Sequence, residues 1–203
     1  MKSKTSLLVA IAFITMSFNN AALTDAERKF ASDLLQQTQE NLVKKVSGLS
    51  AEQLNFKPDT NSWSVAECVE HLAIAENNLF GFSQAALKEP ADPSKRKDLI
   101  MSDEVLVSKI SDRSSKVNTS ESLKPSGKFG TYEAALNEFK AKRASNIGYI
   151  KTTTDDLRNH YNDFPFGKLD AYQTILLMAS HSKRHADQIE EIMNHPNFPK
   201  KGK

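Results

Sequence analysis

One long segment, from about residue 90 to residue 130, most constrains how this chain can fold. It contains EPADPSKRKD and KPSGKFG, with a short apolar-periodic piece, SDEVLVSKI, between them. About forty residues exceed an ordinary helix–helix connection, and this length is enough to run from one end of a helical bundle to the other. The helices of such a bundle therefore need not follow a simple up-down-up-down order.

Two amphipathic helices are predicted before this segment and two after it. Their predicted N-cap residues are Thr24, Ser64, Thr131 and Asp170. A glutamate follows the first two caps after three residues, which is the capping-box pattern. The helices should end near Gly48, before Pro90, near residue 154 and before Pro196. The stretches LSAEQLNFKPDTNS and HYNDFPFGKL are interpreted as loops, and no long alternating run follows the N-terminus. The fold class is therefore all-α, a four-helix bundle with one long crossover.

The N-terminus carries the pattern of an export signal. Lys2 and Lys4 precede LLVAIAFITMSF, an apolar stretch of roughly twelve residues that is too short to span a bilayer comfortably. We expect a signal peptide at 1–22, a bundle domain at 23–196 and a flexible tail at 197–203. An uncleaved anchor or a buried first helix is the alternative.

The net charge gives no sign of a nucleic-acid partner. The 203-residue chain has a formal net charge of +2, and loss of a 22-residue signal removes two lysines, which brings it to zero. A neutral domain lacks the basic face that binds nucleic acid. A second membrane span is also absent from the sequence, and the composition is compatible with a homodimer.

Three of the five histidines lie on apolar helix faces. His181 and His185 are one turn apart on the last helix, and His71 lies on the inward side of the second helix. Burying three imidazoles without a common partner would cost several kcal/mol, and a shared divalent metal would satisfy all three. His160, in a loop, and His195, beside a proline, are interpreted as surface residues.

Whether the three histidines can meet depends on the directions of their two helices. At 1.5 Å per residue, His71 lies about 10 Å from the start of its helix, and His185 lies about 14 Å from the end of the last helix. The two match in depth only if these helices are antiparallel. That arrangement requires an up-down-down-up order, which the long connection permits.

The other candidates for chemistry are weaker. Cys68 is the single cysteine, so no intrachain disulfide can form. It occupies the N4 position of the second helix, where we interpret it as the hydrophobic-staple partner of Trp63 rather than a nucleophile. The nearby charged residues are interpreted mainly as a cap, as solvated surface or, less strongly, as partners of an imidazole or of an anionic substrate: Glu67, Glu70, Glu76, Arg184 and Asp187.

Two stretches, LLQQTQENLVKKVSGLSAEQLNFKPDTNSWSVAECVEHLAIAE and FPFGKLDAYQTILLMASHSKRHADQIEEI, resemble the DinB-like superfamily. These are four-helix-bundle metal proteins that include the bacillithiol and mycothiol S-transferases. The resemblance covers nearly the whole chain after the signal region. It rests on the residues that match the family pattern: Trp63, Ser64, Glu67, His71, His181 and His185. The export signal, Cys68 in place of an aliphatic residue and the divergent middle segment depart from that pattern.

The resemblance implies a divalent metal, zinc, nickel or iron, held by three histidines. Three ligands leave a coordination position for water or a substrate, which is typical of a catalytic site. The expected function is an exported metal-dependent hydrolase or transferase that acts on an unidentified small molecule, with unassigned catalytic residues. A non-catalytic metal- or ligand-binding module is the first alternative. A bundle with vestigial histidines that serves association is the second.

We predict that the mature protein begins near Leu23 and resides outside the cytoplasm. Signal peptidases prefer a small residue at the first and third positions before the cut; Ala22 matches the first position, and Asn20 departs from the third. N-terminal sequencing or intact-mass measurement of protein from its native host would test this. Recovery of a full-length cytosolic form would contradict the prediction.

Overall fold

The computed structural model describes residues 22–200. The predicted signal peptide, apart from its last residue, and the last three residues of the predicted tail therefore lie outside the described residues. Within the described part of the chain, no helix is long and apolar enough to cross a membrane.

Four long helices and two short ones account for most of the described chain. The long helices are α1 (Asp25–Val46), α3 (Val65–Ala86), α5 (Tyr132–Thr152) and α6 (Ala171–Met193). The short helices are α2 (Ala51–Asn55) and α4 (Asp103–Ser111), and two 3₁₀ segments cover Pro93–Asp98 and Glu121–Leu123.

The four predicted helix starts are confirmed by their hydrogen bonds. The N-cap side chains accept from the backbone N–H three residues later, and these caps are Thr24, Ser64, Thr131 and Asp170. The capping boxes are complete at α1 and α3, where the glutamate side chain returns to the backbone N–H of the cap residue. These local bonds satisfy N–H groups that a helix cannot pair internally, so they fix where each helix begins.

The direction of α6 follows from contacts at its first turn. The Tyr172 hydroxyl donates to the Glu27 carbonyl at 2.8 Å, which joins the starts of α6 and α1, so these two helices are parallel. The Ser83 hydroxyl donates to the Ala171 carbonyl at 3.0 Å, which joins the end of α3 to the start of α6. Helices α3 and α6 are therefore antiparallel.

Helix α5 runs in the same direction as α3. Arg28 near the start of α1 donates to the Ile150 carbonyl near the end of α5 at 2.6 Å, so these two helices are antiparallel. Phe80 and Tyr149, both late in their helices, make an edge-to-face contact with ring centroids 5.3 Å apart. The order is up-down-down-up, as predicted, and the connection between parallel α3 and α5 crosses the length of the bundle.

Two segments interpreted as loops have regular structure. Residues 51–55 form α2, which starts with its own capping box between Ser50 and Gln53. The stretch HYNDFPFGKL forms a hairpin of β1 (Tyr161–Phe164) and β2 (Gly167–Asp170), paired antiparallel with Phe164 opposite Gly167. The loop prediction was wrong because four-residue strands are too short to show a clear alternation of apolar and polar residues. The bundle remains the architecture.

A buried ion pair lies in the centre of the bundle. The Arg143 guanidinium donates to both carboxylate oxygens of Glu76, at 2.8 and 2.7 Å. It also donates to the Leu35 carbonyl at 2.9 Å, to Thr38 at 2.8 Å and to Ser182 at 2.6 Å. All five guanidinium N–H groups therefore have acceptors, and one side chain ties the four long helices together. Glu76 is buried and its carboxylate binds Arg143, so its interpretation as solvated surface was wrong. The weaker alternative, a partner for an imidazole, is not observed either.

We expect Arg143→Met to lower the free energy of unfolding by about 3–5 kcal/mol, because it leaves the buried Glu76 carboxylate without its cation. The double variant Glu76→Met with Arg143→Met should lose less, since it buries no unpaired charge. Lys29→Met is the matched control: Lys29 pairs with Asp33 on the surface, and its loss should cost no more than about 0.5 kcal/mol. Urea unfolding measures the free energy of all three variants. Similar losses for Arg143→Met and Lys29→Met would contradict this account.

Candidate metal centre

Two antiparallel helices bring the three predicted histidines together. His71 projects from α3 two turns after the Ser64 cap, and His181 and His185 project from α6 one turn apart. Their ligand nitrogens all lie within 4.8 Å of one another. The Nε2 atom of His181 is 3.1 Å from Nε2 of His71 and 3.1 Å from Nε2 of His185. The predicted convergence is therefore present in the structure.

Hydrogen bonds on the outer nitrogens determine the protonation of two of the rings. The Nδ1 atom of His71 lies 2.7 Å from the Leu123 carbonyl, and Nδ1 of His185 lies 2.8 Å from Oε1 of Gln188. Both partners are oxygen acceptors, so each Nδ1 carries the proton and donates it. In a neutral imidazole the other nitrogen then has a lone pair. Nε2 of His71 and Nε2 of His185 are therefore both acceptors directed into the cluster.

The third ring cannot satisfy both of these acceptors. Nε2 of His181 carries at most one proton, which it can donate to His71 or to His185 but not to both. In at least one of these contacts, the lone pairs of two Nε2 atoms therefore face each other across 3.1 Å. A divalent cation bound by all three Nε2 atoms would remove this conflict, because imidazole nitrogen is a good ligand for transition metals. The donor set fits such an ion.

All three imidazoles are held neutral. Burial lowers the pKa of His71, and its hydrogen bond to the Leu123 carbonyl opposes that shift. Burial, and after it the neighbouring His71 and Arg184, lowers the pKa of His181 to about 3. The pKa of His185 lies well below its ordinary value, mainly through burial and then through His181. Metal ligation requires neutral imidazole, so the site is prepared to bind an ion without first losing protons.

Trp63 covers one side of the histidine cluster. Its ring centroid lies 4.8 Å from that of His71 and 5.9 Å from that of His185, and it is nearly parallel to the latter ring. Trp63 also packs against the apolar cluster that contains Cys68, in agreement with a staple at the start of α3. The capping pattern could not show that this side chain touches two imidazoles.

Cys68 lies in the core and is not a nucleophile. Its side chain is fully buried, and this burial raises the pKa of the thiol to about 12. Thiolate is the reactive and metal-binding form of cysteine, so a thiol with such a pKa is inert at neutral pH. The structural interpretation of Cys68 is thus supported.

Glu70 has a role that the sequence did not indicate. It was expected to face solvent, but its carboxylate accepts from the backbone N–H groups of Ser126 and Lys128 at 3.1 and 2.8 Å. A short-range sequence pattern cannot show a partner more than fifty residues away. Glu70 therefore anchors the end of the crossover to α3, immediately beside His71.

The remaining charged candidates also have partners. Glu67 completes the cap of α3 and pairs with Lys57. Asp187 pairs with Lys183 at 2.6 Å on the outer face of α6. Arg184 donates to two carbonyls of the crossover, so it does not present a free cation to an anionic substrate. None of these side chains is positioned as the partner of an imidazole.

The other two histidines lie outside the cluster. Nδ1 of His160 is 3.2 Å from the Ala86 carbonyl, near the hairpin end of the bundle. The ring of His195 packs against Phe56, with centroids 5.5 Å apart, after the end of α6. Both are half-buried, so they are less exposed than the sequence suggested.

Comparison with known proteins agrees with this fold. A sequence profile described as the DinB superfamily matches residues 34–189. The chain is 27% identical over 148 residues to the uncharacterized protein YuaE of Bacillus subtilis (strain 168). This match covers 72% of the chain and 87% of YuaE.

A solved structure shares the architecture. YfiT from Bacillus subtilis, described as a probable metal-dependent hydrolase with an unusual four-helix bundle topology, superposes with a TM-score of 0.59. The match covers 88% of this chain and 92% of YfiT, at 16% sequence identity. At that identity the likeness establishes the fold, which agrees with the helix directions derived above.

We expect Cys68→Ala to cost about 1 kcal/mol of unfolding free energy through lost packing, and to leave the metal content unchanged. Urea unfolding and elemental analysis measure the two effects. In the wild type, a thiol reagent should modify Cys68 only when the protein unfolds. Loss of metal binding without loss of stability would mean that Cys68 is a ligand after all.

Proposed function

The chain belongs to the DinB superfamily, and we propose that it is a metal-dependent hydrolase that holds a divalent ion with His71, His181 and His185. The observation that carries this proposal is the set of three Nε2 atoms that face one another with too few protons to pair them. The description of YfiT as a probable metal-dependent hydrolase supports the choice of hydrolysis over group transfer.

The three imidazoles favour a transition metal over calcium or magnesium. Calcium and magnesium prefer oxygen ligands, whereas imidazole nitrogen suits zinc, nickel and iron. When bound, such an ion would supply Lewis-acid activation of water and of the bond to be hydrolysed. Three protein ligands leave room for that chemistry, because a closed structural zinc site normally uses four.

The surroundings of the cluster indicate where a substrate enters. His71 and His185 are buried, while His181 is partly exposed. The Trp63 ring packs against the His71 and His185 rings, and the Leu123 carbonyl contacts Nδ1 of His71. We therefore infer that a substrate approaches from the side of His181, the least buried of the three residues. The substrate must be small, because burial of this imidazole is the main cause of its low pKa.

Export remains part of the proposal. It is supported by the basic start and the apolar stretch within residues 1–22. An exported protein would meet substrates outside the cytoplasm, which disfavours transfer to a cytosolic thiol cofactor. Esters, amides and thiol conjugates form the assay panel, with metal-loaded and chelator-treated protein compared. A loaded protein that turns over none of them would favour the non-catalytic binding module.

We expect His185→Ala to abolish stoichiometric metal binding, because two imidazoles rarely hold a divalent ion against water. The wild type should gain about 2.7 kcal/mol of stability at a free ion concentration one hundred times its dissociation constant, and the variant should gain almost none. The bundle itself should still fold. His195→Gln, which removes an imidazole outside the cluster, is the matched control and should bind metal normally. Elemental analysis and thermal unfolding with added zinc measure both effects, and a wild type that binds no ion would refute the proposal.

A further inference from the structure

The crossover between α4 and α5 contacts two of the three histidines, one directly and one through a single intermediate side chain. We propose that residues 112–123 of this crossover form part of the ion site, with Arg113 as a positioning residue that acts through Gln188. The inference rests on the proposed function, because it concerns the ligands of the proposed ion. It goes further by coupling ion binding to the docking of a specific segment.

The first contact is a main-chain one. His71 donates from Nδ1 to the Leu123 carbonyl at 2.7 Å, across 52 residues of sequence. Leu123 closes the short turn at Glu121–Leu123, and its side chain packs against the core. A carbonyl moves with its backbone, so the orientation of the His71 ring depends on where this part of the crossover docks. A hydrogen bond on the outer nitrogen of a metal-binding histidine fixes its ring orientation and raises its basicity.

The second contact passes through Gln188. His185 donates from Nδ1 to Oε1 of Gln188 at 2.8 Å, and Nη1 of Arg113 approaches the same oxygen at 3.4 Å. Arg113 is itself held by two bonds to the Glu191 carboxylate, at 2.8 and 2.7 Å. One crossover side chain therefore holds the amide oxygen that orients the His185 ring.

The helix that supplies two ligands also holds the crossover. Arg184 lies between His181 and His185 in sequence, and its guanidinium donates to the Asp112 carbonyl and, at 2.7 Å, to the Ser115 carbonyl. Helix α6 thus binds the beginning of the segment, while His71 on α3 binds its end. The segment bridges the two helices whose relative position creates the cluster.

These contacts make crossover docking and ion binding interdependent. A docked crossover holds the His71 and His185 rings with Nε2 directed into the cluster, so it should raise ion affinity. By thermodynamic reciprocity, a bound ion should then stabilise the docked crossover by the same factor. A crossover that served only to connect α4 to α5 would show neither effect.

The affinity for Zn²⁺, measured by titration against a competing chelator, tests whether the docked crossover raises ion affinity. Arg113→Gln and Gln188→Leu should each weaken Zn²⁺ binding by about tenfold, the size typical of lost second-layer contacts. Gln188→Glu keeps an oxygen acceptor for His185 and should remain within about threefold of the wild type or bind more tightly. Lys45→Gln is the matched control, because it breaks another ion pair to α6, with Glu190, that touches no histidine. It should leave the affinity within about twofold.

Limited trypsin digestion tests whether a bound ion stabilises the docked crossover. Lys116 is exposed within the segment, and Zn²⁺ should slow cleavage after it severalfold in the wild type and much less in Gln188→Leu. A wild type that binds no Zn²⁺ would overturn both this inference and the proposed function. A wild type that binds Zn²⁺, with unchanged affinity in Arg113→Gln and Gln188→Leu, would overturn the inference alone. Unchanged cleavage after Lys116 on Zn²⁺ binding would also overturn it.

Discussion

The antiparallel packing of α3 against α6 is the constraint on which the site depends. It places His71, in the first third of α3, opposite His181 and His185 near the middle of α6. One helical turn advances 5.4 Å, so a slip of a single turn between these helices would exceed the 3.1 Å separations among the Nε2 atoms. The bond from Ser83 to the Ala171 carbonyl fixes that register near the end of α3.

The bundle buries two polar sites, the ion pair of Arg143 with Glu76 and the three histidines, which differ in how completely their polar atoms are paired. Around Arg143 every donor meets an acceptor, so the ion pair with Glu76 is complete without any further partner. The three histidines have more inward lone pairs than protons to share among them. Buried polar atoms usually have hydrogen-bond partners, and the Arg143 site satisfies every one of its donors. This difference between the two buried sites supports the proposal that the histidines bind an ion.

Local signals carried most of what the sequence could predict. The caps at Ser64 and Asp170 and the pair His181 and His185 each depend on residues within four positions, so spacing alone revealed them. The length of the crossover permitted the observed order of the helices, and the matching depths of His71 and His185 favoured it. Arg143 was missed because its partners lie on the three other long helices, and a lone arginine in a helix resembles a surface residue. Arg113 was missed for the same reason, since its link to the site passes through another side chain.

The length of the crossover exceeds what the topology alone requires. Helix α5 has 21 residues and is about 30 Å long, a distance that about ten extended residues could span. The chain instead uses more than forty residues between the end of α3 and the start of α5. Part of the excess forms α4, which buries Leu106 against the bundle, and the next part runs over the histidines to Leu123. The segment that makes the helix order possible also supplies the Leu123 carbonyl that His71 contacts, and its Arg113 reaches the Gln188 oxygen that His185 contacts.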